Sequence, residues 1–189
     1  MFSAGFVLAG GGSSRMGRDK ALLPFAGGVL LEHVAREVEA AAGSLTLLGD
    51  PALYGHLGWP VWPDLVPGCG PMGALYTALS RTEADWNLFV ACDMPDVRRE
   101  DLALLLAQAG AGETDCVAPV TEENRSHPLC AAYHRRVLPA VTRALSDNHL
   151  KMQDLLAAVQ TVFTRAIGPE HLTNVNTPEE WLDACRTPH

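Results

Sequence analysis

The chain has 189 residues, of which 48% are hydrophobic and 19% are charged, values typical of one globular domain with a single core. None of its apolar runs approaches the ~20 residues that cross a bilayer, and its formal net charge of −8 argues against nucleic acid, whose protein partners normally carry a basic face. We therefore expect a single domain over residues 1–189, with neither a membrane nor a nucleic acid as partner.

Apolar runs and amphipathic segments alternate along the chain. In chain order the pattern predicts a strand at 6–9, a helix at 30–42 ended by Gly43, a strand at 45–48, mostly loop at 50–72, a helix at 74–79, a strand at 86–92, a helix at 100–108, strands at 116–119 and 129–133, a helix at 137–146, and a final helix from Pro178 behind the cap Thr177. This alternation favours the α/β class, with a mostly parallel central sheet and helices on both faces in three layers.

Two segments follow predicted strands at their carboxyl ends, where binding sites of parallel sheets lie. The first is the loop at 8–25, LAGGGSSRMGRDKALLPF, which holds four glycines and three basic residues. The second is CDMP at 92–95. We expect the two strands to lie near each other in the sheet, so that these segments form one site.

The glycine-rich loop concentrates positive charge on an acidic chain. Residues 1–28 carry Arg15, Arg18 and Lys20 against Asp19 alone, a local charge of +2 that leaves −10 on the other residues. Consecutive glycines let backbone N–H groups converge on phosphate oxygens, which Arg15 and Lys20 can also bind. The loop therefore predicts a nucleoside triphosphate site. The alternative is a plain strand-to-helix turn with solvated basic residues.

Two known phosphate-binding loops do not fit this segment. The dinucleotide fingerprint G-x-G-x-x-G would need a third glycine at Arg15, and a Walker A loop would need Lys and a hydroxyl residue at Arg18 and Asp19. These mismatches disfavour a Rossmann dinucleotide site and a P-loop kinase or ATPase. The triphosphate would be held by another geometry.

Asp93 stands directly after the strand predicted at 86–92. Triphosphates in such sites come with Mg²⁺, which takes one or two carboxylates together with waters and phosphate oxygens. Pro95 stops the strand, so that the carboxylate is presented on a stiff turn. We interpret Asp93 as the metal ligand; the alternative is a turn or helix-capping residue.

The five cysteines are widely spaced, at Cys69, Cys92, Cys116, Cys130 and Cys185. Their odd number and the lack of a CxxC pair favour reduced thiols over a disulfide framework or a zinc site. The N-terminal apolar stretch is short and has no basic residue ahead of it, unlike a secretory signal. The sequence therefore predicts a cytoplasmic protein.

Five motifs together resemble one enzyme family. They are L-A-G-G-x-S-x-R-M-G-x-D-K at 8–20, G-P-M-G-A-L at 70–75, C-D-M-P at 92–95, S-H-P at 126–128 and N-V-N-T-P-E-E at 174–180. The pattern spans nearly the whole chain and resembles the molybdenum cofactor nucleotidyltransferases, in particular the molybdenum cofactor guanylyltransferase family. The first motif is specific in length and chemistry, whereas C-D-x-P and N-x-N-T-P-E occur in related enzymes that transfer other nucleotides.

The resemblance implies a Rossmann-like nucleotidyltransferase fold that transfers GMP from MgGTP to the terminal phosphate of molybdopterin, or of its molybdenum-loaded form, and releases pyrophosphate. The N-terminal half would bind the nucleotide and the C-terminal half molybdopterin. The implied cofactor is Mg²⁺, with Mn²⁺ as a substitute. The resemblance also implies transient contact with molybdoenzymes or their chaperones, and we expect a monomer.

On the nucleotide side, the resemblance assigns roles to single residues. Leu8, Ala9 and Gly10 would line the nucleotide, Gly11 and Gly12 would approach the phosphates, Lys20 would contact the triphosphate, Arg15 would stabilise charge, Asp93 would bind Mg²⁺ and Asp64 would lie at the nucleotide. For Asp64 the alternative is an acidic turn residue in a proline-rich loop.

On the acceptor side, Asn174 and Asn176 are two residues apart, so they point the same way if their backbone is extended. The resemblance places both near the pterin and the metal, and His127 in the lining of the pterin pocket. Alternatively, Asn176 and Thr177 only form the start of the helix ahead of Pro178. For His127 the alternative is a surface position or a hydrogen-bonding role.

One family position differs in this chain. In the family a polar residue, often Asn, follows the second strand and contacts the nucleotide, whereas L-L-G-D at 47–50 puts Gly49 or Asp50 there. A cytidylyl- or sugar-phosphate nucleotidyltransferase is therefore the alternative function, although L-A-G-G rather than L-A-A-G at 8–11 disfavours the former. A non-catalytic nucleotide-binding regulator is a second alternative, against which Asp93 beside Lys20 favours an enzyme.

Overall fold

The computed structural model describes residues 2–10, 19–110 and 112–186. Its strands are β1 (Ser3–Leu8), β2 (Pro24–Phe25), β3 (Gly28–Val29), β4 (Leu45–Leu48), β5 (Val61–Trp62), β6 (Trp86–Ala91), β7 (Cys116–Pro119), β8 (Cys130–His134) and β9 (Thr161–Thr164). Its helices are α1 (Leu30–Ala42), α2 (Pro51–Tyr54), α3 (Gly70–Arg81), α4 (Arg99–Ala109), α5 (Leu138–Ser146), α6 (Met152–Ala158) and α7 (Pro178–Ala184). Within the described residues no helix has both the length and the apolarity to span a membrane.

Seven of the described strands form the central sheet, in the order β5-β4-β1-β6-β8-β7-β9. All neighbouring pairs are parallel except the two that involve β8, which runs antiparallel to β6 and β7. β2 and β3 form a separate two-stranded ribbon. The predicted mostly parallel sheet is confirmed.

Helices cover both faces of the sheet. Successive side chains of a strand point to opposite faces, so one strand contributes to both apolar layers. In β1, Val7 joins an apolar cluster with α1 and α4, and Phe6 joins a second cluster with α3, α5 and α6. Both side chains are almost fully buried, and each such burial contributes about 1.5–3 kcal/mol. The predicted three-layer α/β architecture is therefore confirmed.

Local sequence signals set several element boundaries. α1 has the predicted bounds and ends at Gly43, whose φ of 79° is the left-handed conformation that glycine adopts without strain. α7 begins at Pro178 behind Thr177, as predicted. The Thr177 hydroxyl accepts a hydrogen bond from the Glu180 N–H at 3.2 Å, and the Glu180 carboxylate accepts one from the Thr177 N–H at 3.0 Å, which is a capping box.

The prediction of mostly loop at 50–72 is wrong in part. This segment holds α2, a 3₁₀ turn at Gly55–Leu57, the edge strand β5 and the first turn of α3. α2 forms because the Asp50 carboxylate caps it, accepting a hydrogen bond from the Ala52 N–H at 2.8 Å, while Pro51 occupies its first turn. β5 forms because β4 offers it a parallel partner, with Leu47 opposite Val61.

Candidate functional site

The two predicted segments meet because their strands are neighbours. β1 and β6 pair in parallel with Leu8 opposite Ala91, and the Cys92 N–H donates to the Leu8 carbonyl at 3.1 Å. Both strands therefore end at the same edge of the sheet. The structure brings Gly10 and Asp93 together there.

A cavity of about 270 Å³, called here the strand-end cavity, opens between these two strand ends. It is lined by Leu8, Gly10, Asp19, Lys20, Ala21, Pro71, Ala91, Cys92, Asp93, Leu129 and Asn176. A Cβ built on Gly10 would meet nothing within 4 Å among the described residues. Among the described residues, nothing therefore blocks the close approach of a ligand to the backbone at Gly10.

Lys20 reaches the strand-end cavity from a short 3₁₀ turn, Lys20–Leu22, that Asp19 caps. Its Nζ donates hydrogen bonds to the Val175 carbonyl at 3.0 Å and to Asn176 Oδ1 at 3.2 Å. An ammonium has three donors, so one has no partner among the described residues and is open to a ligand. The C-terminal segment thus holds the Lys20 charge at the cavity.

Asp93 is held by the same C-terminal segment. Asn174 Nδ2 donates to Asp93 Oδ1 at 2.8 Å, and the Val175 N–H donates to the Asp93 carbonyl at 2.9 Å. Burial raises the pKa of the Asp93 carboxyl, while the Asn174 hydrogen bond and the Lys20 ammonium oppose that rise. The side chain is therefore oriented by Asn174 and electrostatically coupled to Lys20.

Neighbouring Cys92 is partly buried and lines the strand-end cavity. Burial raises the pKa of its thiol, and the charge of Asp93 raises it further. A thiol with a raised pKa stays protonated at neutral pH and is a poor nucleophile. The raised pKa of its thiol therefore does not favour covalent catalysis at Cys92.

A second and larger cavity, of about 730 Å³, lies among loops and is called here the loop cavity. It is lined by Asp96, Thr121, Glu123, Arg125, His127, Pro169, Leu172, Thr173, Asn174, Val175, Asn176, Glu180, Asp183 and Ala184. A third cavity of about 210 Å³ shares Arg125, His127, Asn174 and Asn176 with it. Asn176 lines all three cavities, so it stands where the strand-end cavity and the loop cavity meet.

His127 and Arg125 lie on the connection between β7 and β8. His127 Nε2 is buried and has no hydrogen-bond partner among the described residues. Burial lowers the pKa of His127, and the nearby Arg125 lowers it further, which favours a neutral imidazole. Arg125 is the one Arg or Lys among the described residues that line the loop cavity. Sequence reasoning missed it, although it directly precedes the S-H-P motif.

Asp64 lies elsewhere on the sheet edge. It follows β5, which is separated from β1 by β4, and it does not line the three cavities described above. Its Oδ1 is buried without a hydrogen-bond partner among the described residues, and burial raises the pKa of its carboxyl. The predicted contact of Asp64 with the nucleotide stays a prediction.

The other predicted nucleotide residues are placed unequally. Gly11, Gly12 and Arg15 lie outside the described residues. Ala9 is fully buried and does not line the strand-end cavity. Leu8 lines the strand-end cavity.

Gly49 and Asp50 stand where the family often has a polar residue that contacts the nucleotide, but both have structural roles here. Asp50 Oδ1 is used as the cap of α2. A Cβ on Gly49 would lie 2.8 Å from both the Ala9 carbonyl oxygen and Tyr54 Cε2. Gly49 is therefore required for close packing, and it seats the ring of Tyr54, a residue that sequence reasoning also missed.

The chain is similar to known proteins along most of its length. The family model of the MobA-like NTP transferase domain matches residues 5–162. A probable molybdenum cofactor guanylyltransferase of Flavobacterium johnsoniae is 34% identical over 180 residues, which cover 94% of each chain.

Two solved structures share the fold. The molybdopterin-guanine dinucleotide biosynthesis protein A of Archaeoglobus fulgidus matches with a TM-score of 0.82 at 22% identity and covers 97% of both chains. A Mycobacterium tuberculosis protein, Rv0371c, solved in complex with manganese, matches with a TM-score of 0.71 at 19% identity over 100% of both chains. From the family match and the full-length relative, the chain belongs to the MobA-like NTP transferase family.

Proposed function

We propose that this chain transfers GMP from GTP to the terminal phosphate of molybdopterin, or of the molybdenum cofactor, and releases pyrophosphate. The observation that carries the proposal is the meeting of Gly10, Lys20 and Asp93 around one cavity at the ends of β1 and β6. The kinship with a molybdenum cofactor guanylyltransferase over nearly the whole chain supports the choice of nucleotide and acceptor.

The reaction needs no side-chain nucleophile. An oxygen of the acceptor phosphate forms a bond to the α-phosphorus of GTP as the bond from that phosphorus to the bridging oxygen of pyrophosphate breaks. A phosphate monoester is largely ionised at neutral pH, since its second pKa is about 6. Catalysis then consists of holding two anions together, aligning them and stabilising charge on the leaving pyrophosphate.

Lys20 and the glycines supply that stabilisation. The Lys20 ammonium, held at the cavity by Val175 and Asn176, would bind triphosphate oxygens with its remaining donor. The open backbone at Gly10 lets phosphate oxygens approach main-chain N–H groups. Arg15, Gly11 and Gly12 are proposed to complete this cradle.

Asp93 is the residue proposed to hold Mg²⁺, with Mn²⁺ as a substitute. Its carboxylate is a hard oxygen ligand, and Asn174 occupies only Oδ1, so the group fits a divalent cation. Among the described residues no cluster of three or more His, Cys, Asp or Glu could hold a metal. The remaining ligands would therefore be water and phosphate oxygens, as is usual for Mg²⁺. When bound, the cation supplies Lewis-acid stabilisation of phosphate charge.

The loop cavity is proposed to bind the acceptor. Its lining residues all come from the C-terminal half of the chain, which supports the division into a nucleotide-binding N-terminal half and a molybdopterin-binding C-terminal half of one domain. Arg125 would attract the anionic acceptor, and neutral His127 offers a free ring nitrogen for a hydrogen bond. Asn176 lines both cavities, and Asn174 lines the loop cavity and donates to Asp93. The two side chains would place the acceptor phosphate against the nucleotide.

The cellular setting is proposed from the cysteines. All five cysteines are free thiols, including buried Cys116 and Cys130, which supports a reducing compartment such as the cytoplasm. We also propose a monomer that meets molybdoenzymes or their chaperones only transiently.

The test is a reaction of the purified chain with molybdopterin, Mg²⁺ and each of GTP, CTP, ATP and UTP. We expect a guanine dinucleotide and one pyrophosphate for each transfer with GTP, and little product with the others. A clear preference for CTP would instead assign a cytidylyltransferase. Tight nucleotide binding without product from any acceptor would assign a regulator.

A further inference from the structure

Tyr54 is a buried polar residue that the proposed reaction does not use. It ends α2, its side chain is 3% exposed, and it packs in the apolar layer with α1. Its hydroxyl donates a hydrogen bond to Asp19 Oδ2 at 2.5 Å. Burial raises the pKa of Tyr54, and the hydrogen bond to Asp19 raises it further. The phenol therefore stays protonated and serves as a donor to the carboxylate.

Asp19 joins Tyr54 to the turn that carries Lys20. Its Oδ1 accepts a hydrogen bond from the Ala21 N–H at 3.1 Å and so caps the turn Lys20–Leu22. Both carboxylate oxygens are thus occupied, one by the turn and one by the phenol. None of the ion pairs between described residues joins Asp19 to the adjacent Lys20, whose ammonium reaches Val175 and Asn176 instead.

The position of the Tyr54 ring is set by close packing. Gly49 leaves room for it, since a Cβ there would lie 2.8 Å from Tyr54 Cε2 and 2.8 Å from the Ala9 carbonyl oxygen. The ring is therefore seated against backbone at the ends of β1 and β4. The hydroxyl therefore reaches Asp19 from a ring that is buried and closely packed.

We propose that Tyr54 is a positioning residue for Lys20: its hydroxyl holds the Asp19 carboxylate, so that the Lys20 ammonium stays free for the triphosphate. The inference rests on the proposed triphosphate role of Lys20. Without the hydroxyl, the partly buried Asp19 Oδ2 loses the donor that it has among the described residues, which is unfavourable for a carboxylate. Lys20 is an adjacent cation whose flexible side chain can satisfy it, and this pairing withdraws the ammonium from the cavity.

The first experiment removes the hydroxyl alone. Tyr54→Phe is compared with Tyr76→Phe, a matched control on α3, which packs in the other apolar cluster. Binding of inorganic tripolyphosphate and of GTP, each with Mg²⁺, is measured by titration calorimetry on variants whose thermal unfolding shows them folded. We expect Tyr54→Phe to bind both probes about tenfold more weakly, or ~1.4 kcal/mol, and Tyr76→Phe to match the wild type.

A rescue experiment separates positioning from packing. Asn caps helical turns as Asp does but carries no charge, so Asp19→Asn should restore the turn without capturing Lys20. We expect Asp19→Asn to improve tripolyphosphate affinity much more in the Tyr54→Phe background than in the wild type. An equal effect in both backgrounds would overturn the inference, as would wild-type affinity in Tyr54→Phe.

The two probes also keep this inference apart from the proposed function. A wild-type chain that binds tripolyphosphate but discriminates against GTP would contradict the guanylyl assignment and leave the Tyr54 comparison intact. A wild-type chain that binds neither probe would overturn both proposals.

Discussion

The strand-end cavity and the loop cavity share Asn176 but are built in different ways. In the first, Leu8 and Asp93 stand at or just beyond the ends of two paired parallel strands, so that the sheet itself fixes their separation. In the second, the walls come from Asp96, the β7–β8 connection and the segment at 169–184, which are far apart in the chain. The sheet therefore defines where the nucleotide would react, and loop packing defines what it would react with.

The two cavities also differ in charge. The strand-end cavity holds Lys20 close to the acidic pair of Asp19 and Asp93. Among its described lining residues, the loop cavity sets Arg125 against four carboxylates, which are Asp96, Glu123, Glu180 and Asp183. An anionic acceptor entering there meets a mostly acidic wall with one cation. We expect substitutions in the two cavities to change different kinetic constants.

The largest effect is expected at Asp93. Asp93→Ala removes the proposed metal ligand and should lower turnover on the order of a thousandfold, which corresponds to about 4 kcal/mol of transition-state stabilisation. Turnover is measured with saturating Mg²⁺ and GTP. Asp85→Ala, an exposed aspartate just before the other end of β6, is the matched control and should be near normal. Near-normal turnover of Asp93→Ala would remove it as the metal ligand.

The next effect is expected at Lys20. Lys20→Ala removes a charge aimed at the triphosphate and should lower turnover about a hundredfold, the usual loss for one stabilising donor. Steady-state kinetics with GTP measure it. Arg36→Ala, which removes an exposed cation paired with Glu32 on α1, is the control. Equal kinetics for the two variants would place the triphosphate away from Lys20.

A smaller and different effect is expected at Arg125, on the loop-cavity side of the comparison. Arg125→Ala should raise the KM for the acceptor about tenfold, or ~1.4 kcal/mol, and leave the KM for GTP unchanged. Arg143→Ala, an exposed arginine on α5, should change neither constant. A rise in the KM for GTP with no change for the acceptor would reverse the assignment of the two cavities.

The smallest effect is expected at Thr177, which caps α7 directly after Asn176, the residue that lines both cavities. Thr177→Ala removes the cap of α7 and should lower the free energy of unfolding by about 1 kcal/mol, as measured by urea denaturation. Thr177→Ser keeps the hydroxyl and should retain most of that stability. If Thr177→Ala and Thr177→Ser unfold alike, the capping box does not stabilise the segment that carries Asn176.

The sequence predicts the central elements of the fold better than the edge elements and the contacts between distant loops. The strands β4 and β7 and the helix α1 have their predicted bounds, because strong apolar patterns and a glycine cap define them locally. The meeting of Gly10 with Asp93 was predictable because parallel strands carry their sites at one edge. α6 and β9 were not predicted, since they are short and β9 is an edge strand whose Val162 and Phe163 are exposed.

Two site residues escaped prediction for a tertiary reason. Tyr54 lies in a segment that the sequence indicated as loop, and its partner Asp19 is 35 residues away. The role of Arg125 could not be predicted because the cavity that it lines is completed by residues near the C-terminus. Neither contact leaves a local pattern, because each depends on how distant segments pack. The same holds for the hydrogen bond from Asn174 to Asp93, which spans 81 residues.

The most direct measurement is a crystal structure of the chain with Mg²⁺ and a non-hydrolysable GTP analogue. We expect the triphosphate in the strand-end cavity, in contact with Gly10 and the Lys20 ammonium, with the metal bound to the Asp93 carboxylate. A triphosphate in the loop cavity, or a metal bound without Asp93, would contradict this expectation.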